Sequence, residues 1–392
     1  MKISIVGKGT SALITALVCI TEGHSVDIYY DPDSPILKVG ESTTPQIAEL
    51  IYKILGISIT DMQQDRIVSL KSGVKFINWG VGDNFYHNFQ DKFAFQFETS
   101  KFNPYISELL EKNYDVKFIP QKVEKYQDNG SSIEVYGEKY DFIIFCSGWD
   151  KNNISEYQSP MLKTVNSAVL YTDNSTDIDD DYTIHRATED GWQFGLPFPK
   201  NNLTKCGYLF NNDLIEEKEV VKKIQEKNYK ISNTINWEQK YAKKLIQSEN
   251  CAYNGNRLFF LEPLQALSLY YYYEFAKLIC QYLRNKNLNG YTLANYNYRY
   301  EMWAYQLSLC LHYRYGSVYD TIFWKKVVKD SKNFMNIPNG DIETHVEHMI
   351  FDLELKTSSY SNIGCFTASD IKQIHCGMSG KSLNQIINNL NS

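Results

Sequence analysis

The chain opens on an apolar run, Lys2-Ile3-Ser4-Ile5-Val6, which stops at Gly7-Lys8-Gly9-Thr10-Ser11-Ala12. From residue 11 to 22 the apolar positions fall at helical spacing, at Leu13, Ile14, Ala16, Leu17 and Ile20. A second run, Val26-Asp27-Ile28-Tyr29-Tyr30, ends on Asp31. This pattern predicts a βαβ unit with G-x-G-x-x-A at its first turn. Glycines there allow a tight turn and close backbone approach, and the helix N-terminus faces a pyrophosphate. Gly7, Gly9, Thr10, Ser11 and Ala12 are therefore candidate dinucleotide ligands. Asp31 is a candidate for the ribose hydroxyls, although beside Pro32 it also reads as an ordinary turn residue.

Further along, residues 46–55 and 103–113 read as helices, and 67–79 alternates into a strand that ends at Trp79. Residues 114–146 read as a β meander whose last, wholly apolar strand, Phe142-Ile143-Ile144-Phe145, ends in Cys146-Ser147-Gly148. That ending closes many flavoprotein nucleotide domains. Residues 175–181 form an acidic loop, 182–210 return to strands, and 213–250 are charged and helix-prone. A strand at Arg257-Leu258-Phe259-Phe260 precedes Glu262-Pro263-Leu264-Gln265 and a long apolar helix over about 264–285. The remainder is mostly helical and polar.

Composition narrows the function classes. Of 392 residues, 43% are hydrophobic and 14% aromatic, enough for a large core. The 40 basic residues face 46 acidic ones, a formal net charge of −6, which argues against a nucleic-acid partner. No apolar run reaches the ~18 residues a bilayer span needs. The eight cysteines are scattered without a C-x-x-C pair, so reduced thiols are expected, with neither a disulfide framework nor zinc. His345-Val346-Glu347-His348 lacks the order and third ligand of a metal site. The N-terminal run is expected to be a strand, not a leader, and the protein cytoplasmic.

Six blocks in order carry a resemblance. Val39-Gly40-Glu41-Ser42-Thr43-Thr44-Pro45 resembles the V-G-E-A-T-x-P loop of the flavin-dependent tryptophan halogenase family. Lys71-Ser72-Gly73-Val74-Lys75-Phe76-Ile77-Asn78-Trp79 resembles its K-x-x-I-K-F-x-N-W strand, and Phe85-Tyr86-His87-Asn88-Phe89 its F-Y-H-S-F segment. Gly191-Trp192-Gln193-Phe194-Gly195-Leu196-Pro197 is similar to G-W-x-W-x-I-P. Glu262-Pro263-Leu264 matches E-P-L, and His312-Tyr313 with Asp320-Thr321-Ile322-Phe323-Trp324 is similar to the H-F/Y and D-T-x-F-W block.

The resemblance implies an α/β fold. An FAD-binding doubly wound domain of the glutathione-reductase/hydroxylase type would span 1–290, with a β-rich substrate layer inserted at about 60–103 and 151–212. A helical C-terminal section over 291–392 would cover the substrate pocket. It implies an enzyme that uses FADH2, delivered by a separate NAD(P)H-dependent flavin reductase, with O2 and halide to make hypohalous acid. A lysine then presents an electrophilic halogen to an aromatic, indole-like small molecule. By alignment that lysine is Lys71. Under strict alternation, its neighbour Lys75 shares the same strand face. The loop Gly40, Glu41, Ser42, Thr43 and the aromatic Trp192 are implied to lie near the flavin.

The departures fall where they matter. The family's E-P-L-E-S-T-G reads Glu262-Pro263-Leu264-Gln265-Ala266-Leu267-Ser268 here. Gln265 replaces the family's catalytic glutamate, with Glu262 as the carboxylate that could substitute. Leu267 and Ser268 replace the Thr-Gly associated with halide. The loop before Glu262 reads as trimmed of a second flavin-contacting glycine. A flavin monooxygenase or oxidase, or a non-catalytic flavin-binding relative on the same scaffold, is the alternative reading.

Overall fold

The structure, a computed structural model, describes residues 1–34, 40–82, 84–174, 181–335 and 363–390. The chain forms two compact units. The first comprises 1–69, 94–159 and 239–301, the second 70–93, 160–238 and 302–392.

The first unit is built on a six-stranded sheet. Strand β1, Lys2–Val6, lies between β2, Ser25–Tyr29, and the strand Phe142–Phe145, all parallel. Lys117–Ile119 continues the sheet beyond β2 in parallel, and Cys251–Tyr253 continues it beyond Phe142–Phe145. Only the edge strand Ile246–Ser248 is antiparallel. The helix α1, Thr10–Thr21, is buried from Thr10 through Cys19 and packs on the helix Leu267–Arg284. Its apolar residues on every side are what a helix enclosed on all faces requires.

A three-stranded antiparallel meander, Gln127–Asp128, Ile133–Val135 and Glu138–Tyr140, forms the crossover before Phe142–Phe145. It is pinned by the buried cluster of Ile133, Val135 and Tyr140 with Val6, Tyr29 and Phe145. The Tyr140 hydroxyl donates to Asp27 Oδ2 at 2.9 Å. This parallel sheet with a meander crossover is the expected FAD-type arrangement.

The second unit is organised by a seven-stranded sheet. Its order is Lys230–Asn236, Ser167–Asp173, Leu203–Phe210, Gly191–Phe198, Tyr182–Thr188, Gly73–Ile77 and Asn84–Asn88. Every pairing is antiparallel except Tyr182–Thr188 with Gly73–Ile77. Alternation divides the faces. Cys206, Tyr208 and Phe210 pack with Val220 and Ile224 of the helix Glu217–Gln225. Trp192 instead packs against Trp79, whose ring also meets Tyr313 and Trp324. The helices Ile322–Met335, Ala368–Ser379 and Leu383–Leu390 complete this unit.

Three local expectations are corrected. The charged stretch 213–250 keeps helix only over Glu217–Gln225. Lys230–Asn236 is the edge strand of the large sheet, where the β-branched Ile231, Thr234 and Ile235 pair with Ser167–Asp173 and the polar residues stay at the rim. Residues 257–260 are not one strand: Gly255–Leu258 is a helical turn and Phe259–Phe260 a two-residue strand. Alternation from Lys71 to Lys75 fails because the strand breaks at Ser72, whose N–H donates to the Asp181 carbonyl. Lys71 is wholly buried while Lys75 is half-buried, its ammonium 5.2 Å from the Tyr86 ring centroid.

Candidate active site

Within the first unit, β1 delivers the chain into Gly7, whose φ of +127° turns it beneath the Cys146–Ser147 backbone. Gly9 is the N-cap of α1, and a Cβ built on it would meet nothing within 4 Å. The surface in front of the helix N-terminus is thus open backbone, where unsatisfied N–H groups accept phosphate oxygens. Ser11 donates to the Cys146 carbonyl at 3.4 Å. A Cβ on Gly255 would lie 2.3 Å from Ser11 Oγ, and Gly255 has φ +59°, so only glycine fits there. A position that requires glycine thus stands beside the start of α1, in Asn254-Gly255, just before the stretch that reads as strand. Asn254 fixes that loop, its Nδ2 donating to Thr15 Oγ1 and to the Tyr272 carbonyl, each at 2.9 Å. The open cradle, its helix N-terminus and Gly255 fit the pyrophosphate of an FAD.

The Gly40–Ser42 strand pairs with Ala94–Glu98 and packs on the turn Leu264–Ala266. Thr10 donates to Glu41 Oε2 at 2.8 Å, with Asn103 Oδ1 at 3.3 Å from the same hydroxyl. Burial raises the Glu41 carboxyl to about 7, against the opposing pull of the Thr10 hydrogen bond. The Thr43 hydroxyl and amide both bind the Phe95 backbone at 2.9 Å, so Thr43 holds the loop in place. Thr44 occupies the N-cap position of the helix Pro45–Leu55, its side chain making no capping hydrogen bond. Asp31 follows the C-terminal end of β2, accepts from the Asp33 N–H at 3.0 Å, and has Lys122 at 3.8 Å.

The segment that departs most from the resemblance is folded tightly. Glu262 is fully buried and Gln265 nearly so. Gln265 and the following Ala266 both take left-handed backbone conformations, at φ +54° and +64°. Leu267 then starts the long helix fully buried, with Ser268 partly exposed behind it. Two consecutive non-glycine residues in this region are a strained pair, the kind of geometry that clusters at functional sites.

Within the second unit, Lys71 ends the strand Val68–Lys71 with its side chain at 0% exposure. Its ammonium nitrogen lies 5.2 Å from the Phe89 ring centroid. Burial pulls the amine down to about 7, only partly offset by the Cys365 thiol. Rings continue outward from that point. His87 lies edge-on to Phe89 at 5.5 Å and meets Phe366 at 5.9 Å; His312 meets Phe366 at 5.6 Å and Phe76 at 5.8 Å. His87 Nε2 is 3.0 Å from Asp370 Oδ1. Trp79 Nε1 donates to the His312 carbonyl at 2.8 Å, at the end of the helix Leu288–Tyr313.

Trp192 lies in this second unit, fully buried, 4.8 Å from the ring of His185. His185 is buried too. Burial first, then the charges of Lys71 and His312, hold its imidazole well below the ordinary histidine range. The structure thus gathers Gly7, Gly9, Thr10, Ser11, Ala12, Glu41, Glu262, Gln265 and Leu267 in the first unit. Lys71 and Trp192 belong to the second. Sequence reasoning quoted His87, Phe89 and His312 as motif letters without giving them a role, and it missed His185 and Phe366. The signal for His87 and Phe89 was the aromatic block Phe85–Phe89, and that for His312 the His312-Tyr313 pair; Phe366 carried none.

His345–His348 lies outside the described residues. Among the described residues, no cluster of three or more His, Cys, Asp or Glu is placed to hold a metal ion. No described helix is long and apolar enough to cross a membrane.

Comparison with known proteins adds the following. The tryptophan halogenase family profile matches residues 2–92 and 90–344. Tryptophan 7-halogenase RebH of Lentzea aerocolonigenes is 22% identical over 417 aligned residues, covering 83% of this chain and 78% of that protein. A tryptophan halogenase from Shewanella frigidimarina superposes with a TM-score of 0.79 at 17% identity, covering 100% of this chain and 93% of the other. A tryptophan 6-halogenase from Streptomyces toxytricini gives 0.78 at 18% identity, covering 97% and 91%. The flavin-dependent halogenase BrvH from Brevundimonas gives 0.76 at 16% identity, covering 100% and 94%.

Proposed function

The chain belongs to the tryptophan halogenase family, and from that premise we propose that this enzyme halogenates an aromatic, indole-like small molecule, with Lys71 carrying the halogen. The observation that supports this reading most is Lys71 itself: a fully buried amine, held near a pKa of about 7 by burial, over the Phe89 ring. A lysine on the surface of a strand would show neither property.

FAD, held in our reading by Gly7–Ala12, Gly255, Asp31 and the Gly40–Thr43 loop and supplied reduced by a separate reductase, provides the electrons with which O2 and halide become hypohalous acid. Every later step rests on side chains. The neutral Lys71 amine attacks the halogen of hypohalous acid; an N–X bond forms, the O–X bond breaks, and the departing hydroxide takes the amine proton to leave as water. An aromatic carbon then takes the halogen from nitrogen, and the nitrogen keeps the bonding pair. The ring proton that is lost restores the amine through a base. Burial favours the amine over the ammonium, which suits nucleophilic capture. His87, Phe89, His312 and Phe366 supply the flat ring faces on which an indole stacks.

Gln265 orients but accepts no proton. In that segment Glu262 is the carboxylate and our candidate base, while Leu267 and Ser268 line the halide position. Trp192 shields this chemistry as part of the tryptophan-rich core. The eight free cysteines, six of them buried, support a reducing, cytoplasmic setting.

Loss of the glutamate at Gln265 favours a second reading, a flavin monooxygenase or oxidase. Turnover separates the two. The protein is incubated with FAD, a flavin reductase, NADH and chloride, bromide or iodide against a panel of indoles and phenols. Halide-dependent mass shifts in the product are expected. Hydroxylated product or peroxide alone, whatever the halide, would favour the second reading.

A further inference from the structure

Cys19 on α1 and Cys280 on the helix Leu267–Arg284 bring their sulfurs to 3.9 Å in the core of the first unit. Both are buried, at 0% and 1% exposure. They stand 261 positions apart in the chain, so only the packing of the two helices brings them together. The pair is one rung of a ladder between these helices. On the side of the glycine turn, Asn254 Nδ2 donates to Thr15 Oγ1 of α1 and to the Tyr272 carbonyl of the long helix. On the other side Glu22, at the end of α1, pairs with Arg284, whose side chain is largely exposed. Each thiol therefore lies about one helical turn from a solvent-facing ion pair.

The two sulfurs are not equivalent. The hydrogen bond between them lowers the Cys280 thiol, with His24 adding to that effect against burial, and the same bond raises Cys19 well above the ordinary thiol range. Cys280 is thus the sulfur that ionises first and attacks an oxidant, and Cys19 is the neighbour placed to resolve the product. A disulfide holds its sulfurs about 2 Å apart, so closing the gap asks each of them to move by about 1 Å.

We propose that Cys19 and Cys280 are a redox modification site: a dithiol that hydrogen peroxide oxidises to a reversible disulfide, clamping α1 to the helix Leu267–Arg284. Reduced flavin and O2 yield peroxide, so the oxidant arises wherever FADH2 is supplied; the dithiol itself stands independently of the halogenase reading. The Cys280 sulfur attacks one oxygen of peroxide; an S–O bond forms, the O–O bond breaks, and the departing hydroxide leaves as water with the thiol proton. The Cys19 sulfur then attacks the Cys280 sulfur; the S–S bond forms, the S–O bond breaks, and the second hydroxide leaves as water with the Cys19 proton. The two thiols lose two electrons, and one peroxide becomes two waters. The clamp joins the helix whose N-terminus fronts the pyrophosphate cradle to the helix that opens at Leu267, and thiol exchange with dithiothreitol releases it.

The test exposes the folded, fully reduced chain to hydrogen peroxide, blocks the remaining thiols and maps the peptides without reduction. A peptide pair joined through Cys19 and Cys280, two hydrogens lighter than its parts and lost with dithiothreitol, is expected. The melting temperature should rise by at least about 3 °C on oxidation, because the link closes a long loop of unfolded chain, and should return on reduction. Cys280→Ser should lose both the link and the shift, and Cys146→Ser should keep both. Oxidation of Cys280 to a sulfinic acid without the link overturns the proposal. So does a link from either cysteine to a different partner, a link that forms only in urea, or a pair that stays reduced in the folded protein under peroxide. A link without a rise in melting temperature overturns the clamp. These readings come from the parent protein, so they decide the matter even where Cys280→Ser fails to fold.

Discussion

The ammonium nitrogen of Lys71 lies 5.2 Å from the centroid of Phe89, inside a side-chain environment with no measurable exposure to solvent. That placement sets a pH-dependent stability. The folded amine titrates at about 7, below the ordinary lysine value of 10.5. Between those two values the unfolded chain binds a proton that the folded chain has released, so stability rises with pH across that window. Below about pH 7 the full penalty of the buried charge is present. Lys71→Met should therefore stabilise the protein most at pH 6, with the gain shrinking as pH rises toward 10. Urea unfolding of parent and variant across pH checks this, and a pH-independent difference would count against it.

Gly9 separates folding from cofactor binding. A side chain there meets no protein atom, so Gly9→Val should still fold, at a cost of about 1 kcal/mol for a valine at the N-cap of α1. The same side chain stands where a pyrophosphate must approach the helix N-terminus. FAD affinity, measured by fluorescence quenching, should fall by at least two orders of magnitude. Full affinity in a folded variant would remove the Gly7–Ala12 turn from the site.

The backbone around Gln265 supports a different test. Ala266 holds φ +64°, a conformation that costs a residue with a Cβ about 1 kcal/mol. Ala266→Gly should raise unfolding free energy by up to about 0.5 kcal/mol, after allowing for the greater freedom of glycine in the unfolded chain. A loss of stability would mean that the left-handed pair is not the resting geometry of this turn.

Halide preference follows from Leu267. A fully buried leucine stands where the resemblance places a threonine associated with halide. An apolar lining gives up more for the strongly hydrated chloride than for larger ions. Turnover should be faster with bromide or iodide than with chloride at equal concentration; equal or better rates with chloride would contradict this.

Much of the fold was legible because its signals are local. The glycine turn before α1 and the apolar strand at Phe142–Phe145 announce the nucleotide sheet directly. Register breaks and packing partners are not local. Alternation put Lys71 and Lys75 on one face, yet a single break at Ser72 buries the first and leaves the second half-exposed. Gly255, just before the stretch that reads as a strand, went unnoticed because its need for glycine comes from Ser11, 244 positions earlier in the chain. Phe366 and Arg314 gave no motif at all; only tertiary contact places their side chains around one pocket.

The central claim is that Lys71 acts on the oxidant, downstream of the flavin. The direct measurement is a side-by-side assay of Lys71→Ala, Lys75→Ala and the parent, with flavin oxidation and substrate halogenation followed in the same reaction. In Lys71→Ala, O2 consumption should match the parent while enzyme-directed halogenation falls at least a hundredfold, about 2.7 kcal/mol of lost transition-state stabilisation. Lys75→Ala should retain most of both. Parental halogenation by Lys71→Ala would contradict the account, and if Lys75→Ala were the inactive variant, the halogen carrier would be the wrong lysine.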